Sequence, residues 1–212
     1  MLKRLLLPVV LLCASATAVA QDDQNWQEGT HYDVITPAIR TANPDKIEVA
    51  EFFWYGCGHC YTFEPLVGQW KKTLAEDVEF RGSPAIWNQQ MELHARAYYS
   101  AEVLGVLDTM NLVVFQAMNV DRKRLGSEEE IAKLFAAHGV DEAEFSKAFN
   151  SFGVSSQVRQ AAARAKSAKI TGTPEMMVNG KYRISTRKAG NQANMLKIAD
   201  FLVAKERAAA GS

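Results

Sequence analysis

Two cysteines, Cys57 and Cys60, stand where an apolar segment of strand length meets a segment expected to be helical. Residues 47–54 are apolar and aromatic, a composition that favours a strand. Gly56 interrupts the apolar run, and a helix is predicted over residues 57–74. We therefore expect both sulfur atoms on the first turn of a helix that follows directly after a strand.

The spacing of this cysteine pair argues against a purely structural role. A disulfide between residues three apart closes a very small loop, which stabilises a fold by roughly 2 kcal/mol at most. Zinc needs three or four ligands, and His31, His94 and His138 follow no ligand spacing. We therefore predict no metal site and favour a redox-active dithiol.

The predicted position of the pair gives its two thiols different chemistry. Unpaired backbone N–H groups and the dipole at a helix N-terminus stabilise an anion, so we expect a lowered pKa for Cys57. His59 adds to this effect if it is protonated or donates a hydrogen bond; the alternative is a solvated side chain that the site tolerates. Cys60, one turn into the helix, is expected to be more buried and to have the higher pKa.

The first twenty residues are predicted to be a signal peptide outside the fold. Lys3 and Arg4 precede an apolar run, and Ala18-Val19-Ala20 has the small-x-small pattern that precedes a cleavage site. The run is shorter than the about 20 residues that a membrane-spanning helix needs. We predict cleavage after Ala20 and export to the periplasm, with no part of the mature protein embedded in the membrane.

The charge balance excludes one large class of partners. The whole chain carries 24 basic and 24 acidic residues, and removal of the leader takes away two basic residues. A slightly acidic mature protein has no electrostatic footprint for nucleic acid or for an anionic membrane surface. We expect neither as a partner.

The middle of the mature chain changes from α/β to all-helical character. A strand over residues 78–81, ended by Gly82-Ser83-Pro84, completes a strand–helix–strand unit with parallel pairing. From residue 87 to residue 158, apolar residues recur at helical spacing only. Gly126, Gly139 and Gly153 are expected to lie between the helices of this block.

The C-terminal part returns to mixed structure. A helix is predicted over residues 155–169, and Asn179-Gly180 between two apolar runs is a strong signal for a hairpin turn. A last helix is predicted over residues 192–207. The order of elements indicates an α/β core that carries an all-helical insertion.

Specific motifs in this chain resemble the DsbA family of the thioredoxin superfamily. Residues 51–65 closely resemble the active-site segment of that family, and the similarity extends through Gly172-Thr173-Pro174 and residues 178–182 to the final helix. The resemblance implies a thioredoxin-like α/β fold with an inserted all-helical domain. It implies a thioredoxin-like domain of residues 21–86 and 159–212, and a helical domain of residues 87–158.

The resemblance also implies roles for individual residues. Cys57 would be the exposed cysteine that is attacked, and Cys60 its buried partner. Pro174 would be a cis-proline that faces the disulfide, and Thr173 would pair through its backbone with an extended substrate. Glu51 would lie beneath the buried cysteine and help to move its proton; the alternative is a strand face that is wet.

Two residues depart from the usual pattern of the family. Gly58 stands between the cysteines where proline is usual, and Thr173 precedes the cis-proline where valine is common. Gly58 loosens a helical turn that proline would have pre-organised. Both changes bear on the redox potential and leave the reaction type alone. Trp54 and Gly58, which flank the reactive sulfur atom, complete the candidates for substrate contact.

The expected function is the oxidation of reduced secreted proteins by dithiol–disulfide exchange, with no cofactor. A DsbB-like membrane quinone reductase would reoxidise the protein, which is expected to be a monomer. One alternative is a periplasmic disulfide isomerase or reductase that an electron donor keeps reduced; Gly58 and Thr173 favour it. An alternative from another class is a chaperone-like binding module with an incidental dithiol.

Overall fold

The structure is a computed structural model that describes residues 25–211 of the chain. The predicted signal peptide and its cleavage site lie outside the described residues. Within that range no helix is long and apolar enough to cross a membrane.

Five strands of residues 25–211 form one mixed sheet. They are β1 (Asp33–Val34), β2 (Ile47–Phe53), β3 (Val78–Pro84), β4 (Glu175–Val178) and β5 (Tyr182–Ser185). Their order across the sheet is β1-β5-β4-β2-β3. Strand β2 pairs in parallel with β3 and antiparallel with β4, so it lies inside the sheet and is buried on both faces.

Helices cover both faces of the sheet and form a separate layer beyond its end. The helices of residues 25–211 are α1 (Gly58–Lys71), α2 (Gln89–Val103), α3 (Leu107–Asn119), α4 (Glu128–Ala136), α5 (Glu142–Phe149), α6 (Phe152–Ser167), α7 (Thr186–Ala189) and α8 (Gln192–Ala210). Helices α2 to α5 lie between β3 and α6 in the chain, which is the insertion that the sequence predicts.

The apolar core divides along the two faces of β2. Val49 packs with side chains of α1 and α8 on one face. Ala50 and Phe52 pack on the other face with Ala165 of α6 and with Ala168, which follows that helix. A third cluster joins the inserted helices to Phe53 and to the segment that follows β2. The fold is therefore the predicted α/β thioredoxin-like fold with a helical insertion.

Two predicted boundaries were wrong. Strand β3 does not end before Gly82-Ser83-Pro84 but continues through Pro84, because β3 is an edge strand and an edge position tolerates proline. A Cβ atom at Gly82 would lie 2.4 Å from the hydroxyl oxygen of Tyr98, so only glycine leaves room for that ring.

The predicted break at Gly153 was also wrong. Helix α6 begins at Phe152, and Gly153 lies in its first turn, because the Ser151 side chain caps the helix by accepting a hydrogen bond from the Val154 N–H. This helix runs through residue 158, where the sequence places the end of the inserted domain. The domain boundaries at residues 87 and 158 stay predictions.

The hairpin at Asn179-Gly180 is confirmed. Both residues have positive φ angles, 49° and 66°, and connect β4 directly to β5. This is the left-handed backbone that the Asn-Gly pair favours in a tight hairpin turn. The antiparallel pairing of β4 with β2, in which Glu175 lies opposite Phe52, brings residue 174 next to the end of β2.

Candidate active site

Cys57 caps the N-terminus of α1, as the sequence predicts. Its backbone is extended, with φ −90° and ψ 110°, and its Sγ accepts a hydrogen bond from the Cys60 N–H at 3.4 Å. The Cys57 N–H donates to the Trp54 carbonyl at 2.9 Å, which closes the turn between β2 and α1. The sulfur atom therefore lies among N–H groups that have no helical acceptor.

The surroundings of Cys57 lower the pKa of its thiol to about 5. The largest cause is a hydrogen bond from the Cys60 side chain; the Thr173 hydroxyl and the backbone N–H groups of Cys60 and His59 also favour the thiolate. Partial burial opposes them. Donors to the charged form thus outweigh desolvation, and Cys57 is a thiolate at neutral pH.

Cys60 has the opposite character. Its side chain is completely buried, and Cys57 and Cys60 form no disulfide in the structure. Burial raises the pKa of Cys60 far above the ordinary cysteine value, and the nearby Cys57 and Glu51 raise it further. The pair therefore joins a stabilised thiolate to a thiol that keeps its proton.

A loop from the other half of the chain lies against Cys57. The Thr173–Pro174 peptide bond is cis, as the family resemblance implies, and the Thr173 carbonyl oxygen lies 3.3 Å from Cys57 Sγ, where it accepts a hydrogen bond when the thiol is protonated. The Thr36–Pro37 bond is also cis, which the sequence did not indicate. The loop that carries Thr173 thus forms one wall of the site.

Glu51 lies inside β2 with 2% of its side chain exposed, and its Oε1 has no hydrogen-bond partner among the described residues. Burial raises its pKa well above the ordinary glutamate value, and Glu64 and Cys57 add to the rise, whereas Lys71 opposes it. The alternative of a wet strand face is therefore wrong for the carboxylate. A buried carboxyl group of this kind holds a proton at a pH where an exposed one does not.

A cavity of about 210 Å³ opens beneath Glu51, between the sheet, α1 and α3. Glu64 on α1 also lines it, and burial raises the pKa of this second carboxyl group, while a hydrogen bond with Asn111 opposes the rise. Polar side chains that line the cavity are Glu51, Glu64, Lys71, Tyr98, Asp108 and Asn111. The cavity gives the buried carboxyl groups a polar connection to the surface.

Trp54 is held by a histidine that the sequence did not single out as part of the site. The Trp54 indole N–H donates to Nδ1 of the buried His94 at 2.9 Å, and the two rings stack with an interplanar angle of 18°. Nε2 of His94 lies 3.1 Å from the Leu125 carbonyl oxygen, to which it donates when Nδ1 accepts. The indole leaves no room for a Cβ atom at Gly56, which explains that glycine.

The inserted helix α3 also forms hydrogen bonds with the active-site turn. The Asn119 amide group donates to the Tyr55 carbonyl at 2.8 Å, and the Tyr55 hydroxyl donates to Asn111 at 3.0 Å. Both asparagines belong to α3, which is distant in sequence from Tyr55, so no local sequence pattern indicated that they contact the active-site turn. The sequence did offer an indication that Glu64 lies near the site, because it follows Cys60 by four residues and therefore lies on the same helix face.

His59 and Gly58 are the predicted site residues that face the solvent. The His59 carbonyl accepts a hydrogen bond from Gln192 of α8 at 2.6 Å, and its backbone N–H contributes to the low pKa of Cys57. The structure thus brings together Cys57, Cys60, Thr173, Pro174, Glu51 and Trp54. Among residues 25–211, no group of three or more His, Cys, Asp or Glu side chains is arranged to hold a metal ion.

Comparison with known proteins decides the family. The family model described as a DSBA-like thioredoxin domain matches residues 69–196. The chain belongs to the DSBA-like thioredoxin family. That match begins after the dithiol, but similarity to full-length members of the DSBA-like family extends over nearly the whole chain.

Two relatives named thiol:disulfide interchange protein DsbA illustrate this. The protein from Pseudomonas aeruginosa strain PAO1 is 37% identical over 209 residues, which cover 99% of each chain. The protein from Azotobacter vinelandii is 38% identical over 213 residues, which cover 98% of this chain and all of the relative.

Solved structures of DsbA proteins agree with this assignment. The crystal structure of Pseudomonas aeruginosa DsbA gives a TM-score of 0.86 at 38% identity and covers 90% of this chain and 99% of its own. The oxidoreductase DsbA from Xylella fastidiosa gives 0.79 at 32% identity and covers 84% of this chain and 96% of its own. The site described above therefore lies on the scaffold of this family.

Proposed function

We propose that this protein is an exported thiol:disulfide oxidoreductase that introduces disulfide bonds into secreted proteins through Cys57 and Cys60. The observation that carries the proposal is the contrast between the two thiols: the Cys57 pKa is about 5, whereas burial raises that of Cys60. A stabilised Cys57 thiolate favours the reduced dithiol, so the disulfide form is a strong oxidant.

The reaction begins with the Cys57–Cys60 disulfide. A substrate thiolate attacks Cys57 Sγ, the bond between the two sulfur atoms breaks, and Cys60 leaves as a thiolate. A second substrate thiolate then attacks the substrate sulfur of the mixed disulfide, and Cys57 leaves as a stabilised thiolate. The substrate gives up two electrons and gains a disulfide; the protein is left as the reduced dithiol.

Glu51 is suited to managing the proton of Cys60. Because burial disfavours a Cys60 thiolate, that group needs a proton when it leaves and must lose the proton when the disulfide forms again. Glu51 is near enough for its charge to raise the pKa of Cys60, and its own raised pKa allows it to hold a proton. The cavity beneath it connects this exchange to the solvent.

The surroundings of the dithiol suit an extended polypeptide. Cys57 is half-buried beside the Thr173–Pro174 loop, and the Thr173 backbone would pair with a substrate strand. Trp54 and Gly58 flank the same sulfur atom. The predicted signal peptide, with cleavage after Ala20, leads us to place the protein in the periplasm. We assign its reoxidation to a DsbB-like membrane quinone reductase that accepts the two electrons.

A disulfide isomerase or reductase is the second candidate, favoured by Gly58 and Thr173. It uses the same dithiol and differs in its redox potential. A chaperone-like binding module would need neither cysteine. Variants of the two cysteines therefore separate the binding module from the two redox functions, and the redox potential separates an oxidase from an isomerase or reductase.

The test is the oxidation of a synthetic peptide with two cysteines, with glutathione disulfide as the terminal oxidant. The wild type should accelerate the reaction, and C57S should lose all acceleration. C60S, the matched control, should keep the reactive thiolate and, in the presence of glutathione disulfide, accumulate a mixed disulfide with a peptide that has one cysteine, because neither Cys60 nor a second peptide thiol is there to resolve it. A C57S variant that still accelerates oxidation would refute the proposal.

A further inference from the structure

His94 of α2 is a buried histidine, 1% exposed, that connects two segments distant from it in the chain. Its Nδ1 accepts a hydrogen bond from the Trp54 indole N–H at 2.9 Å, and its Nε2 lies 3.1 Å from the Leu125 carbonyl oxygen. An indole N–H only donates and a carbonyl only accepts, so the two partners fix the neutral ring with its proton on Nε2. Burial also lowers the pKa of His94, which favours the same neutral form.

The Leu125 end of this connection is well supported. Leu125 lies between α3 and α4, with 2% of its surface exposed. The neighbouring Arg124 carbonyl accepts a second hydrogen bond from α2, donated by the Gln90 side chain at 3.2 Å. The histidine ring is therefore held by its own helix and by Leu125, and it can in turn hold the Trp54 side chain.

The hydrogen bond to His94 sets the direction of the Trp54 indole. The planes of the indole and imidazole rings are 18° apart. The indole N–H and the lone pair of Nδ1 both lie in the planes of their rings, so nearly parallel planes align the donor with the acceptor. A tryptophan side chain rotates about two bonds, and a hydrogen bond to a fixed acceptor selects one of its rotamers.

In this orientation the indole covers the turn that carries the reactive cysteine. A Cβ atom on Gly56 would lie 2.4 to 2.8 Å from three atoms of the indole, so the ring lies directly over Gly56. The next residue is Cys57, whose N–H donates to the Trp54 carbonyl at 2.9 Å. Trp54 is only half-buried, so it also offers surface to a polypeptide that approaches Cys57.

We propose that His94 is a positioning residue for thiol–disulfide exchange with polypeptides, which acts by fixing the Trp54 indole over the Gly56–Cys57 turn. This inference rests on the proposed function, because it concerns the same reaction. His94 does not touch the reacting sulfur atoms, and its effect passes through Trp54. It should therefore matter for a peptide substrate and not for a small thiol that reaches only the sulfur atom.

The test separates the two hydrogen bonds of His94. The side-chain oxygen of asparagine lies as many bonds from Cβ as Nδ1, so H94N keeps an acceptor for the indole. The amide nitrogen of glutamine corresponds in the same way to Nε2, so H94Q keeps only a donor for Leu125. H94L removes both, and H138N is the control, because the His138 ring bonds to a carbonyl of the neighbouring helix α4.

Two reactions are followed: oxidation of the synthetic peptide with two cysteines, and reduction of the protein disulfide by dithiothreitol. We expect H94Q and H94L to raise KM for the peptide about fivefold, with kcat within about twofold, because one hydrogen bond that orients the binding surface is lost. H94N and H138N should stay close to wild type, and the dithiothreitol rate should not change in any variant.

Three results would overturn the inference. Peptide oxidation could be unchanged in H94L, or H94N could be defective while H94Q is normal, which would assign the effect to Leu125. A dithiothreitol rate that falls with the peptide rate would show that His94 acts on Cys57 in general and not on the surface that a polypeptide meets.

A double-mutant cycle tests whether the effect passes through Trp54. W54F removes the indole N–H, so adding H94L to W54F should cause no further loss. If H94L raises the KM of W54F by the same factor as that of the wild type, His94 acts by another route and the inference fails.

Failure of the proposed function would look different. In that case the wild type itself would not oxidise the peptide, while the NMR signal of the Trp54 indole N–H, identified as the one missing in W54F, would still report on His94. Its exchange with solvent should be slow in the wild type and H94N and faster in H94Q. If the variants do not fold, the wild type alone decides, because exchange at the rate of an open indole contradicts the inference.

Discussion

Strand β2 carries a buried glutamate on each of its faces, and the two are treated in opposite ways. Glu48 faces α6, where Arg164 binds one carboxylate oxygen and Arg81 lies 3.4 Å from the other. The Ala42 N–H also donates to Glu48 at 3.2 Å. Glu51 faces α1 and the cavity, with one oxygen that has no hydrogen-bond partner among the described residues.

The difference distinguishes a carboxylate that ion pairs hold in place from one that has no such pairing. Burying a charge is costly unless the charge is paired, and at Glu48 two guanidinium groups provide the pairing. At Glu51 the positive charge of Lys71 lowers the pKa, but the second carboxyl group, Glu64, has the larger effect and raises the pKa. An unpaired carboxyl group next to Cys60 reduces stability, and we propose that it exchanges a proton with Cys60.

The largest effect is expected on the paired face. E48Q removes the charge that Arg164 and Arg81 share and leaves Arg164 without its buried counterion. We expect the free energy of unfolding to fall by about 3 kcal/mol in urea denaturation. The rate of peptide oxidation per folded molecule should not change. A stability close to that of wild type would remove the basis of the comparison.

At Glu51, on the other face, we expect the opposite: a slower reaction and a more stable protein. E51Q keeps the shape of the side chain but cannot transfer a proton, so the step that releases or protonates Cys60 should slow about 100-fold. The variant should also be more stable than wild type, by on the order of 1 kcal/mol. Stopped-flow tryptophan fluorescence measures the rate. A variant that is less stable and equally fast would place Glu51 with the structural residues.

The two faces should also differ in the pH dependence of stability. The folded-state pKa of Glu51 is raised, so the unfolded chain loses this proton first as the pH rises. Stability therefore declines from the ordinary glutamate pKa upward until the raised pKa is passed. Subtracting the E51Q curve from the wild-type curve isolates this decline from that of Glu64. A flat difference curve would contradict the raised pKa.

The smallest effect is expected for Lys71. This exposed lysine lowers the pKa of Glu51, so K71M should raise that pKa further and move the pH profile of the Cys60 step upward. Solvent screening of an exposed charge keeps the change small. A shift to lower pH would show that Lys71 acts on another group.

Local patterns in the sequence predicted much of the fold. Ser127 caps α4 by accepting a hydrogen bond from the Glu130 N–H, which is the role that a serine three residues before a glutamate favours. The Glu130 carboxylate accepts a hydrogen bond from the Gly126 N–H and not from the Ser127 N–H. Asn179-Gly180 forms the hairpin. Pro84 was misjudged because only the sheet order shows that β3 is an edge strand.

Some residues of the site could likewise be predicted from the sequence, and others could not. The helix-capping position of Cys57 follows from the strand that precedes it, and the cis form of Pro174 came from the family resemblance. His94 and Asn119 could not be predicted, because their roles depend on contacts with Trp54 and Tyr55, which are distant from them in sequence. Which of the two glutamates on β2 is paired depends on Arg164, more than a hundred residues away.

The central claim is that the environment of Cys57 stabilises the reduced dithiol. The most direct test is the equilibrium of the Cys57–Cys60 pair in glutathione buffers, followed by tryptophan fluorescence, since Trp54 lies beside the pair. We predict that the pair stays reduced until the buffer is strongly oxidising. A pair that is already oxidised near the potential of thioredoxin, about −270 mV, would contradict the account and favour a reductase or isomerase.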